Sequence, residues 1–217
     1  MTSIPRSGFS VTPPSERPAT GALRLYGRRV VLRPLGPPDF SAWSAARLRN
    51  EEWLLKWEPK RLPITPDPAR DRTAFSTRCH ARDRERLHGQ SYAFGLLVDG
   101  SVVGEVNLNN VNRGPLQSAT VGYWIDEQQA GRSYVPEGVV VVARYAFEEL
   151  RLHRLEICIV PRNAASRRVM DKLQIREEGT ALRFLEINGT WEDHIRFGIT
   201  SEEWDERRDE LTSTWIL

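Results

Sequence analysis

Apolar positions along the chain recur with two periods, and the switches between them mark the elements. The stretch "RLYGRRVVLRPL", Arg24 to Leu35, is rich in β-branched and aliphatic residues and reads as a first strand, ended by Pro34 and "GPPD". "FSAWSAARLRNEEWLLKW" then spaces Phe40, Trp43, Leu48 and Leu55 as a helix does. Pro59, Pro63, Pro66 and Pro68 interrupt the next stretch, and Thr65 or Asp67 is expected to cap a second, strongly charged helix reaching about His88. "SYAFGLLV" and "SVVGEVNLNNV" flank Asp99 and Gly100, a hairpin signature, and "SATVGYWID" extends the hairpin to a meander.

Propensity alone makes Val139 to Val142 a strand. Pro136, however, suits a first helical turn, and "ARYAFEEL" continues with helix formers at a helical period, so a helix is expected from Pro136 to Leu150. "LHRLEICIV" reads as a buried strand and Asn163 to Leu173 as a short helix. "EEGTALRFLEIN" and "WEDHIRFGIT" pair around Asn188 and Gly189. The layout is α+β, one mixed sheet with helices on its faces.

With 217 residues and 40% hydrophobic content, the chain can bury one substantial core, so a single domain is expected over residues 23–217. Residues 1–22, rich in Pro, Ser, Thr and Gly, read as a mobile tail. A net charge of +2, spread over abundant charges of both signs, argues against a nucleic-acid groove. No apolar stretch approaches the roughly 20 residues of a membrane span, and the first residues lack the order of a signal peptide. The two cysteines, Cys79 and Cys158, fit a reducing cytoplasm.

If Pro136 to Leu150 is a helix, "QAGRSYV" sets the amides of Gly131 to Val135 at its positive end, directly after a strand. That placement suits a pyrophosphate, and Gly131 permits close backbone approach. An ordinary strand-to-helix connection accounts for the same residues.

"VPRNAASRRVMDKLQIREEG" resembles the second half of the acyl-CoA site in the GNAT superfamily of N-acetyltransferases, where a strand leads into Asn-x-x-Ser on a short helix. "GYWIDEQQAGRSYVPEGV" resembles that superfamily's splayed strand and pyrophosphate loop. Within it the chain is most similar to the ribosomal-protein-alanine N-acetyltransferase branch, on "WEP" at Trp57, "NV" at Asn110, "GYW" at Gly122 and "INGTWEDH" at Ile187. The resemblance implies the GNAT fold, with a mostly antiparallel sheet, and acetyl-CoA as cosubstrate without a metal. It places Trp124, Ile125, Gly131, Arg132, Ser133, Tyr134, Val135 and Asn163 against the cosubstrate, and Trp57, Glu58 and Asn110 by the acceptor.

For the chemistry, the resemblance puts Ser166 beside the coenzyme sulfur as proton donor, and Tyr123 reads as wall more than as acid, since aromatic residues at such sites usually pack. Asn163 also suits an N-cap on local grounds. Backbone N–H groups near Trp124 and Ile125 are expected to stabilise the oxyanion. The base stays open among Glu105, which shares a strand face with Asn107, Glu58, Glu186, Asp193 or a water chain, and His194 reads as structural. The acceptor is a protein N-terminus, notably a ribosomal alanine, or alternatively a small amine. A third reading is a non-catalytic acyl-CoA-binding protein. A monomer or homodimer is expected, with neither nucleic acid nor membrane as partner.

Two positions depart from the family pattern. In one register the pyrophosphate loop falls on Ala130, Ser133 and Val135, in another on Gln128, Gly131 and Ser133, and serine lacks glycine's freedom at positive φ. Gln174 stands where the family has a helix-ending glycine, so the short helix is expected to stop without the glycine left-handed cap.

Overall fold

A computed structural model describes residues 23–62 and 64–217, so the tail expected at residues 1–22 lies outside the described residues. The first apolar stretch is two strands instead of one, β1 (Leu25–Tyr26) and β2 (Val31–Arg33), paired antiparallel. The turn between them wraps the carboxylate of Glu137, which accepts from the amides of Arg29 and Val30 at 2.5 and 3.0 Å. Two inward amides thereby find an acceptor that a continuous strand would not offer them.

The next helix is likewise two, α1 (Phe40–Arg49) and α2 (Glu51–Leu55). It breaks at Asn50, whose buried side chain donates to Ala46 O and Asp126 Oδ1 and accepts from the amide of Glu127. The charged helix, α3 (Arg72–Leu87), starts later than expected, because Asp71 accepts from the amides of Thr73 and Ala74. Asp67 instead closes the turn before it by accepting from Ala69 N at 2.8 Å.

The meander forms as the spacing predicts, from β3 (Tyr92–Val98), β4 (Ser101–Asn112) and β5 (Ser118–Ile125). The four valines lie in a helix, α4 (Tyr134–Arg144), which continues through one π turn at Tyr145–Glu149. Then come β6 (Arg154–Ile159), α5 (Ala164–Leu173), β7 (Arg176–Ile187) and β8 (Thr190–Thr200). A final helix, α6 (Ser201–Trp215), was not expected; Thr200 and Glu203 start it with a capping box. α5 ends on Gln174, which takes the left-handed conformation itself at φ 49°.

The strands make one eight-stranded sheet in the order β1-β2-β3-β4-β5-β6-β8-β7, antiparallel except between β5 and β6. Leu32, Leu96, Val106 and the valines of α4 share one apolar cluster, to which α5 adds Met170 and α6 adds Trp204. Their sequence neighbours Val31 and Leu97 point the other way, onto α1 and α3 through Trp43 and Phe75.

β5 and β6 pair only through Ser118 with Arg154, Ala119 with Leu155 and Thr120 with Glu156. Past these three positions the strands part. The opening between them is where the site lies.

Candidate active site

Strand separation leaves a cleft of about 240 Å³, walled by the end of β5, the loop into α4, and α5, with α2 at one end. Tyr123 on β5 and Ser166 on α5 meet across it, phenol oxygen to Oγ at 2.8 Å. Burial pushes the Tyr123 hydroxyl well above its ordinary range, the bond to Ser166 opposing this in part, so the phenol stays protonated. Asn163 fixes the serine by accepting from its amide at 3.1 Å, the N-cap role expected of it.

The loop supplies the other wall. Gly131 and Ser133 both take positive φ, 79° and 64°, so serine adopts a backbone that favours glycine. Among the described residues, the amides of Gly131, Arg132, Ser133, Tyr134 and Val135 donate to no protein acceptor, and they sit at the positive end of α4. Lys172 reaches Ser133 Oγ at 2.7 Å, and Arg168, on the same helix, also lines the cleft. Unpaired amides, a helix start and two cations suit a pyrophosphate.

Of the residues expected to hold the cosubstrate, Trp124, Ile125, Gly131, Ser133, Tyr134, Val135 and Asn163 line the cleft. The Arg132 side chain does not; its carbonyl accepts from Arg29 instead. Trp57 and Glu58 lie at the α2 end. Arg47 holds Glu58 through two bonds at 2.7 and 2.6 Å and stacks over the Trp124 ring, while Arg162 covers Trp57. Glu58 is the one carboxylate among the described lining residues.

The cleft excludes several other candidates. Glu105 is 4% exposed, bonded to Trp43 Nε1 at 2.6 Å and to Arg78 at 2.8 and 2.7 Å, so both its oxygens are already engaged away from the cleft. Asn110 lies near the far end of β4, exposed and bonded to Thr120, and Asn107 accepts from Phe94 N. Glu186 and Asp193 belong to the β7–β8 hairpin outside the cleft. Asp193 accepts there from Arg183 N, and His194 is buried against Phe184. Trp53, Arg168 and Lys172 were missed. Ala165, Arg168, Val169 and Lys172 repeat at helical spacing, a one-face pattern that was available in the sequence.

Residues 29–176 match the model of the Acetyltransferase (GNAT) domain. The chain belongs to the GNAT acetyltransferase family. It is 42% identical over 175 residues to the Bacillus subtilis protein named "Probable N-acetyltransferase YjcK", covering 78% of this chain and 93% of that one. The Escherichia coli ribosomal protein uS5-alanine N-acetyltransferase is 27% identical over 186 residues, covering 84% of this chain and 93% of its own. The solved structure of Mycobacterium smegmatis RimJ in complex with CoA-disulfide superposes with a TM-score of 0.76 at 33% identity, over 83% of this chain and 87% of that one. The chain is thus a GNAT N-acetyltransferase related to enzymes that modify ribosomal proteins. Among the described residues no cluster of His, Cys, Asp or Glu is arranged to hold a metal ion, and no helix is long and apolar enough to cross a membrane.

Proposed function

We propose that this GNAT enzyme acetylates the N-terminal α-amine of a protein from acetyl-CoA, with a ribosomal protein beginning in alanine as the acceptor. The observation that carries the chemistry is the Tyr123–Ser166 pair at 2.8 Å, beside a loop whose amides are unpaired among the described residues. When bound, acetyl-CoA supplies the acyl group as an activated thioester.

The amides of Gly131 to Val135, with Lys172 and Arg168, hold the pyrophosphate. Asn163 sits along the pantetheine arm while it caps α5. Ser166, backed by the protonated Tyr123, holds a proton at Oγ for a departing thiolate, and the free backbone edge of β5 near Trp124 and Ile125 faces the carbonyl oxygen.

At the opposite end the amine must be held and deprotonated. Glu58 suits both tasks: Arg47 fixes its orientation, yet its side chain keeps 30% exposure at the mouth. Trp53 and Trp57 flank it as apolar walls. The cations at the loop end suit an anionic donor, and Glu58, although paired with Arg47, offers a partly exposed carboxylate to a cationic acceptor. Two free cysteines fit a cytoplasmic location.

Comparing protein N-termini by mass spectrometry in cells with and without the chain tests the acceptor. Loss of acetylation on a ribosomal alanine supports the reading. Thiol release with small amines and none with N-terminal peptides would replace it by the small-amine reading. CoA binding without turnover on any amine would leave a binding protein.

A further inference from the structure

We infer that Arg29, on the turn between β1 and β2, is a positioning residue that aims the amides of the pyrophosphate loop, an inference resting on the proposed use of acetyl-CoA. Its guanidinium lies outside the cleft and joins three groups. Nε donates to Glu137 at 2.9 Å, Nη1 to the carbonyl of Arg132 at 3.0 Å, and Nη2 approaches the carbonyl of Ser133 at 3.5 Å. Glu137, on α4, is 1% exposed and also accepts from the amides of Arg29 and Val30, so the cation is anchored through a buried carboxylate to the helix that follows the loop. The guanidinium further covers the ring of Tyr134 at 5.0 Å.

A trans peptide is planar, with its C=O and the following N–H pointing opposite ways. Fixing the Arg132 carbonyl therefore fixes the amide of Ser133, and fixing the Ser133 carbonyl fixes the amide of Tyr134. Without that hold the Arg132 carbonyl loses its donor, while the Ser133 carbonyl keeps only the amide of Glu137 at 3.3 Å, so the loop has reason to relax. Ser133 is a non-glycine residue at φ 64°, and the Arg132 carbonyl has no backbone donor among the described residues. Such a conformation persists only where its surroundings impose it. Arg29 and Glu137 are 108 positions apart in sequence and supply that imposition.

The test compares wild type with Arg29→Ala and Arg29→Lys, using calorimetry with CoA and kinetics with acetyl-CoA and with acetyl-pantetheine, which lacks the pyrophosphate. Arg29→Ala should weaken CoA binding and raise KM for acetyl-CoA at least tenfold, with kcat within about twofold and kcat/KM for acetyl-pantetheine unchanged. Arg29→Lys keeps the charge and reaches one carbonyl, so it should fall between; it carries the test alone if the alanine variant does not fold. Wild-type CoA affinity in both variants, or an equal loss with acetyl-pantetheine, would overturn the role of Arg29 and leave the acetyl-CoA reading standing. Absence of CoA binding by the wild type would overturn both.

Discussion

The phenol oxygen of Tyr123 and Oγ of Ser166 stand 2.8 Å apart, bridging β5 and α5 where β5 and β6 have ceased to pair. If that pair delivers the proton, Ser166→Ala should lower kcat by roughly ten- to a thousandfold. Affinity for CoA should hardly change, since a bond made mainly in the transition state adds little to the ground state. Stability should hold as well, because Asn163 caps the helix. Steady-state thiol release measures it; a variant keeping more than about half the turnover would remove Ser166 from the mechanism.

Gly131, at φ 79°, has nothing within 4 Å of where a Cβ would stand, so the fold tolerates a side chain there only against backbone preference. Gly131→Val should hinder approach to the amides and weaken CoA binding more than tenfold, about 1.4 kcal/mol. Calorimetry on the folded variant decides; unchanged affinity would move the pyrophosphate elsewhere.

Glu58→Gln should raise KM for the amine acceptor while leaving CoA affinity intact, and it should shift the acid limb of the rate profile if the carboxylate also takes the proton. Equal acceptor kinetics across pH would assign both tasks to other groups.

Asp126 ties the end of β5 to Arg49 and Asn50. Burial raises its carboxyl, but the bonds from Arg49 and Asn50 and from the amide of Gln128 outweigh burial and hold it below 3.8. A lowered folded-state value means stability that is present above about pH 4 and lost as pH falls through the lower folded value. Asp126→Asn should cost about 1–3 kcal/mol at neutral pH and flatten that acid limb. Thermal melts between pH 2 and 7 would show it, and an unchanged limb would point to other carboxylates.

Cys79 is 2% exposed, and burial pushes its thiol up to about 11. At pH 8 the native chain should leave this thiol unlabelled by a disulfide reagent over minutes, since only about one in a thousand copies is thiolate. Denaturation should expose both thiols. Rapid native labelling at Cys79 would show that the α3 face opens readily.

Short-range chemistry was legible in the sequence. Asn163 and Ser166 are three positions apart and settle cap and hydroxyl together, and the meander around Asp99 and Gly100 followed from alternation. What escaped was decided by distant partners. Glu105 displayed its strand face, but nothing local announced that Trp43 and Arg78 would occupy its oxygens. Asn50 breaks a helix because of Asp126, and Arg29 turns a strand because of Glu137. The helix α6 is a different case, since Thr200 and Glu203 carried its start signal locally.

Among the described residues, three paired positions between β5 and β6, with the amides of His153 and Arg154 on the Gln117 carbonyl, join the two leaves of the sheet through backbone at this seam. A donor lying in the cleft would stitch the leaves together beyond that point, so occupancy becomes a term in the enzyme's own durability. At a donor concentration a hundred times its dissociation constant, that term is about 2.7 kcal/mol. The melting temperature of the chain should then rise with the concentration of acyl donor.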